Sequence, residues 1–127
     1  MLKTLRIKDY AIIENLEVDF YPGLNILTGS TGAGKSILIG ALSLALGEKA
    51  DSDLIRTGAP QAIIEAIFEV DKNSALASLL QKESLLLEDN SLIIRREISR
   101  KGTSKNFVND KTVALSTLKL MGDFLVD

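Results

Sequence analysis

Eight residues, Gly29-Ser30-Thr31-Gly32-Ala33-Gly34-Lys35-Ser36, fit the pattern G-x-x-x-x-G-K-[ST] without a mismatch. That spacing builds a loop that cradles the phosphates of a nucleoside triphosphate. Gly29, Gly32 and Gly34 let the backbone approach a pyrophosphate with no Cβ in the way. The loop's N–H groups then form an anion nest, to which the following helix adds its positive dipole end. Lys35 would reach the β- and γ-phosphates as a point charge, and the Ser36 hydroxyl would hold Mg²⁺. All eight residues, Ser30, Thr31 and Ala33 included, form the predicted nucleoside-triphosphate site. The competing reading is a glycine-rich turn with Ser36 as helix N-cap, and it has no use for the lysine.

A loop of this kind must be carried between a strand and a helix. Leu24-Asn25-Ile26-Leu27-Thr28 is a short apolar strand before it, and the apolar stretch Ile37 to Leu46 is a helix after it. That helix is predicted to start near Lys35 and to close at Gly47, a left-handed cap. Upstream, Leu5 and Ile7 alternate with Arg6 and Lys8, and Leu16, Val18 and Phe20 alternate with Glu17 and Asp19. These are two strands of a hairpin-like pair, followed by a turn at Tyr21-Pro22-Gly23. Downstream, Glu48 to Gln61 reads as loop and Ile63 to Val70 as a strand. A short helix follows from Asn73 or Ser74 through Leu80, ending near Glu83. Leu92 to Ile98 is a strand, Arg100 to Thr103 a tight turn, Lys105 to Val108 a strand, and Asn109-Asp110 a second turn before Lys111 to Val113. Ser116 to Leu120 looks helical. Strands on both sides of the loop, several in antiparallel pairs, predict an α/β P-loop domain. Its sheet is mixed, with an antiparallel side sheet around the P-loop helix.

Composition narrows the chemistry. The 127 residues are one domain by length, 46% apolar and 25% charged, ordinary for a folded soluble chain. The net charge of −2 supplies no global basic field for nucleic acid. With no Cys and no His, disulfides, Cys/His zinc sites, thiol nucleophiles and Ser-His-Asp triads are excluded. No run approaches the roughly 18 apolar residues of a membrane span, and the first residues alternate, so a soluble cytoplasmic chain without a membrane partner is expected.

A complete P-loop hydrolase also needs an acidic residue at the end of a neighbouring apolar strand, and often a group that orients water. Leu85-Leu86-Leu87-Glu88-Asp89 has the acids but reads as a loop or helix end. Phe124-Leu125-Val126-Asp127 fits better, either as that strand or as a core strand cut short. Nothing after it supplies the water-positioning group, so the chain reads as half a catalytic site.

Three stretches carry a family resemblance: Leu5 to Glu14, Pro22 to Gly29, and Thr31 to Ser36. They resemble the start of the ATPase head of the RecN family, bacterial DNA-repair relatives of the structural-maintenance-of-chromosomes (SMC) proteins. Ile55-Arg56-Thr57-Gly58-Ala59 is similar to the segment after the family's first helix. Arg95 to Ser99 with Lys105 to Asp110 is similar to its β-hairpin. Leu125-Val126-Asp127 is similar to the stretch before its glutamine loop. The match spans essentially the whole chain and favours RecN over RecF-like or chromosome-condensing relatives. Ser30 departs from the Glu usual there, at a position that holds no phosphate.

The resemblance implies that residues 1–127 are the N-terminal lobe of a split ATP-binding head. A coiled coil, a C-terminal lobe and a second head of a homodimer would complete the site. The whole protein would be a nucleoid-associated ATPase in recombinational repair of DNA double-strand breaks, and this lobe alone would bind ATP weakly and hydrolyse little. Related heads also place an arginine near the nucleotide or DNA, here Arg56, against the plainer reading of a surface ion pair with Asp51 or Asp53. The first hairpin lines the adenine in similar heads, which would put Lys8 to Ile12 there; a simple strand end is the alternative.

From Leu92 to Lys111 cations exceed acids by four. Arg100, Lys101 and Lys105 with Phe107 nearby are candidates for DNA phosphate contacts, against a solvated hairpin face. Alternation cannot put Arg95 and Arg96 on one face. Two other functional classes stay open. A self-contained kinase would need a lid, which Arg95, Arg96 and Arg100 could imitate, and a GTPase would need a base-reading N-K-x-D that Asn106-Phe107-Val108-Asn109 does not supply. A nucleotide-gated interaction module would bind ATP without turnover.

Overall fold

Period-two alternation writes most of this fold. A computed structural model describes residues 1–20, 32–85 and 87–125, with the backbone alone for 32–35. The predicted strand Leu24 to Thr28, the turn Tyr21 to Gly23, the loop residues Gly29, Ser30 and Thr31, and also Leu86, Val126 and Asp127, lie outside the described residues.

Six strands run in the order β2-β1-β3-β4-β5-β6: β1 Leu2–Tyr10, β2 Ile13–Asp19, β3 Gln61–Glu69, β4 Ser91–Ser99, β5 Ser104–Val108 and β6 Lys111–Thr112. The expected β1–β2 hairpin is present, and all five pairings are antiparallel. Among the described residues the sheet is therefore antiparallel rather than mixed.

One face of this sheet is dry. It buries Leu5 and Ile7, then Ala62, Ile64, Ala66 and Phe68, then Leu92, Ile94 and Ile98, and finally Val108. Each fully buried leucine or isoleucine contributes roughly 1.5–3 kcal/mol. Helix α1, Gly32–Ala45, lies against this face over β1, β3 and β4 and buries Ala41, Leu44 and Ala45. Helix α2, Ala75–Lys82, is N-capped by Ser74, whose Oγ accepts from the Ala77 N–H at 3.1 Å. It packs against helix α3, Leu115–Leu125. The opposite sheet face carries charges in register, Glu17 beside Arg6, Arg6 beside Glu65, Glu65 beside Arg95.

The turns follow from local chemistry. Asn109 and Asp110 both take positive φ (47° and 68°), the conformation a two-residue hairpin turn demands of both central residues. Gly102, at φ 91°, closes the β4–β5 turn.

Three boundaries differ from expectation. Helix α1 starts at Gly32, three residues before Lys35, so its first turn, whose N–H groups lack intrahelical acceptors, falls within the motif. A 3₁₀ turn, Ser52–Leu54, interrupts the loop after α1, with Asp51 accepting from the Asp53 N–H at 3.0 Å. Phe124 and Leu125 do not form a strand. They complete α3, whose apolar spacing Leu118, Met121, Leu125 is helical.

Candidate nucleotide site

Helix α1 is the platform of the site. The first turn of a helix leaves four backbone N–H groups without intrahelical acceptors, and here that turn is Gly32-Ala33-Gly34-Lys35, the second half of the P-loop motif. With the helix dipole behind it, this end favours an anion. Ser36 follows inside the helix and is exposed, as a hydroxyl that reaches Mg²⁺ must be. It is not an N-cap, since the helix begins four residues earlier. The chain's own residues thus fit a nucleotide with its metal. The bound nucleotide would supply the phosphoanhydride to be cleaved.

The far end of α1 is held from two sides. On the sheet side, Arg96 is 1% exposed on the dry face of β4, among aliphatic neighbours. Its Nη1 donates to the carbonyl oxygens of Leu44 (2.7 Å) and Glu48 (2.5 Å), at and just beyond the helix C-terminus. Its Nε donates to Asn106 Oδ1 at 3.0 Å, and its Nη2 reaches Ser104 Oγ at 3.3 Å. Among the described residues no carboxylate lies within ion-pair distance. Burial pulls this guanidinium's pKa down, yet an arginine stays charged. Its counter-charge is the negative end of the α1 dipole, a favourable arrangement of up to about 2 kcal/mol when partly buried.

On the other side stands α3. A Cβ on Gly122 would lie 2.7 Å from the Leu46 carbonyl oxygen, so the α3 backbone meets the end of α1 directly. Gly47 takes φ 106°, the expected left-handed cap, with Lys119 backbone 2.8 Å from where its Cβ would be. Midway along α1, Tyr10 comes up from the end of β1, its Oη 3.0 Å from a Cβ at Gly40. Burial raises the Tyr10 pKa.

The outlying candidates are distributed as follows. Lys8 is exposed on the sheet face opposite α1, lining a shallow groove of about 200 Å³ with Arg6, Asn15, Glu17, Ile63, Glu65 and Arg95. Arg56 faces Glu14 at 3.8 Å instead of Asp51 or Asp53, because its N–H donates to the Asp9 carbonyl and docks the loop on the β1–β2 turn. Arg100 is tied down. Its Nε donates to Ala59 O at 2.9 Å and its Nη2 to Arg56 O at 2.8 Å. Arg56 and Arg100 therefore share one end of the sheet, beside the β1–β2 turn. Lys101 and Lys105 are solvent-exposed on and beside the β4–β5 turn. Arg95 lies over the Phe107 ring at 5.9 Å and pairs with Glu97 at 2.5 Å. Glu88 and Asp89 lie in the turn before β4, where Asp89 and Asn90 take positive φ, and not at the end of an apolar strand. Among the described residues no cluster of acids could hold a metal, and no helix is long and apolar enough to cross a membrane.

Sequence reasoning grouped Arg96 with the basic hairpin and missed its role. The signal was present in Leu92, Ile94, Arg96 and Ile98, one alternating set in which the arginine takes a core position.

An antiparallel sheet folded over a helix whose first turn carries a P-loop motif is a P-loop NTPase fold. Residues 4–123 match the AAA domain family, and the chain belongs to that family. Along its whole length it is similar to the DNA repair protein RecN of Vibrio cholerae, 41% identical over 127 residues, and to that of Bacillus subtilis, 39% identical. To RecN of Synechocystis it is 46% identical over 107 residues, 84% of this chain. The resemblance read from the P-loop and its flanks thus extends through the chain. The chain spans 23% and 22% of the Vibrio and Bacillus proteins. Among solved structures, a chain from work on ATP-driven dimerization and DNA-stimulated activation of SMC ATPases superposes with a TM-score of 0.73, at 20% identity. The match covers 94% of this chain and 76% of that one. The SMC head domain of Thermotoga maritima gives 0.63 at 22% identity, covering 93% and 40%. A RecF recombination mediator with bound nucleotide gives 0.64 at 14%, covering 93% and 29%. These likenesses establish the fold.

Proposed function

We propose that this chain is the P-loop lobe of a RecN-type ATPase head and that it binds ATP with Mg²⁺. The observation that carries the reading is the complete G-x-x-x-x-G-K-[ST] pattern running into the first turn of α1. Lys35 counters the β- and γ-phosphates, Ser36 holds the metal, and the N–H groups of the loop and first turn meet the phosphate oxygens. Gly29, Ser30, Thr31, Gly32, Ala33 and Gly34 form the cradle. Arg56 is a candidate secondary contact, whereas Lys8, on the sheet face opposite α1, is not.

The remaining parts of the site come from elsewhere: a C-terminal lobe of the same head and a second head across a homodimer. The whole assembly acts on DNA in double-strand-break repair in the cytoplasm, at the nucleoid. The kinase reading loses its support, because Arg96 is buried, Arg95 is paired and Arg100 is bonded to backbone, so none belongs to a mobile lid. Calorimetric titration of the chain with Mg²⁺-ATP tests the proposal. Binding by the wild type and its loss in Lys35→Ala are expected. Equal binding by both would remove the P-loop from the account.

A further inference from the structure

We propose that Arg96 is a positioning residue for nucleotide binding: it clamps the far end of α1 to the sheet and thereby sets where the helix's first turn stands. The proposal rests on the ATP-binding reading above.

The chemistry of the position argues for placement. A cation on the dry face of a central strand carries a desolvation cost, and a well-packed apolar side chain of similar volume is often at least as stabilising. What the apolar side chain cannot do is hold two groups at a set distance and angle. The guanidinium is a rigid planar fork. Here it spans Asn106 and Ser104 on β5 and the Leu44 and Glu48 carbonyls at the end of α1. It fixes helix to sheet both along the helix axis and in rotation about it. Gly122 and Lys119 of α3 close the other side of the same helix end.

Geometry connects this clamp to the site. Helix α1 has 14 residues, so its first turn lies about 20 Å from Arg96. A tilt of about 3° about the clamped end displaces that turn by about 1 Å, enough to lengthen hydrogen bonds of about 2.9 Å beyond their effective range. The residues that α1 buries fully, Ala41, Leu44 and Ala45, lie in its C-terminal half near the clamp, whereas Ile37 and Leu38 pack on the core only in part.

The test uses the whole chain with Arg96→Met, Arg96→Lys and Asn106→Ala, the last removing only the acceptor of Nε. Mg²⁺-ATP affinity is measured by calorimetry at a temperature where circular dichroism shows every variant folded. Amide spectra of the nucleotide-free chain are recorded in parallel. The clamp predicts that Arg96→Met weakens affinity at least tenfold, that Arg96→Lys recovers part of it, and that Asn106→Ala falls between. It also predicts shifted amide signals at Ser36 to Ile39, remote from the substitution. Lower melting temperatures with wild-type affinity and unmoved amides would overturn it. Should Arg96→Met not fold, Asn106→Ala decides by the same two readouts. Should the wild type not bind Mg²⁺-ATP, the ATP reading falls, and the amide shifts still judge the clamp.

Discussion

Arg95 and Arg96 are adjacent and chemically identical, yet one stacks on Phe107 and pairs with Glu97 while the other is enclosed at the end of α1. Strand geometry alone separates them, since successive side chains leave opposite faces of the sheet. Arg100 is a third case, exposed but spending its donors on the Ala59 and Arg56 carbonyls. Arg100→Ala is therefore expected to lower stability by about 1 kcal/mol in urea unfolding, from lost bonds to a charged donor at an exposed site. If the hairpin contacts DNA, Lys101→Ala and Lys105→Ala should each reduce the slope of log affinity against log salt by about 1, and Arg100→Ala by less. Tyr10 supplies a pH dependence. Its folded pKa is raised above the ordinary 10.0 by burial, so above pH 10 the folded state holds the proton more tightly than the unfolded state. Stability is complete below pH 10 and declines as pH rises through the raised value. Tyr10→Phe should flatten that alkaline decline above pH 10 in denaturant titrations.

Among the elements, α1 is the one on which the site depends, and its ends are treated differently. The N-terminal end carries the phosphate-binding motif. The C-terminal end is enclosed by β4, β5 and α3, with Gly122 admitting the Leu46 carbonyl at a distance no side chain tolerates. Gly122→Ala should cost about 1–3 kcal/mol by forcing the two helices apart, although alanine is the better helix former by roughly 1 kcal/mol. A rise in melting temperature would show that α3 gives way freely. The outer sheet face is organised by cross-strand ion pairs, with Arg6 bonded to Glu65 at 2.7 Å and facing Glu17 at 3.5 Å. The hydrogen bond from Arg6 to Glu65 is the main reason its pKa is raised. Pairs this exposed contribute little individually. They keep a flat sheet face wet and in register.

For the whole molecule, an AAA-family fold is joined to a site that the described residues do not complete. No cluster of acids that could hold a metal accompanies the P-loop motif among them. The expected outcome is binding without appreciable turnover. Phosphate release from Mg²⁺-ATP by the chain alone should stay near the uncatalysed background and rise when the remaining parts of a RecN-type head are supplied. Robust turnover by the chain alone, abolished by Lys35→Ala, would instead mean that these residues suffice.

Much of this protein was legible in its sequence because local rules decide it. The strands β1, β3, β4 and β5, the Ser74 cap, the Asn109-Asp110 turn and the Gly47 cap each follow from residue type and a short period, and so does the nucleotide motif. What the sequence left open needed neighbours far apart in the chain. Whether Phe124 and Leu125 extend a helix or form a strand is settled by α3 packing on the end of α1, a contact across some 75 residues between Leu46 and Gly122. That Arg56 meets Glu14, that Arg100 binds the loop beside it, and that Arg96 clamps the P-loop helix are likewise pairings across sequence separations of about 40 to 50 residues. Alternation says which face a side chain leaves by. Only the folded sheet determines what waits on that face, because long-range proximity is set by strand order and not by any local preference.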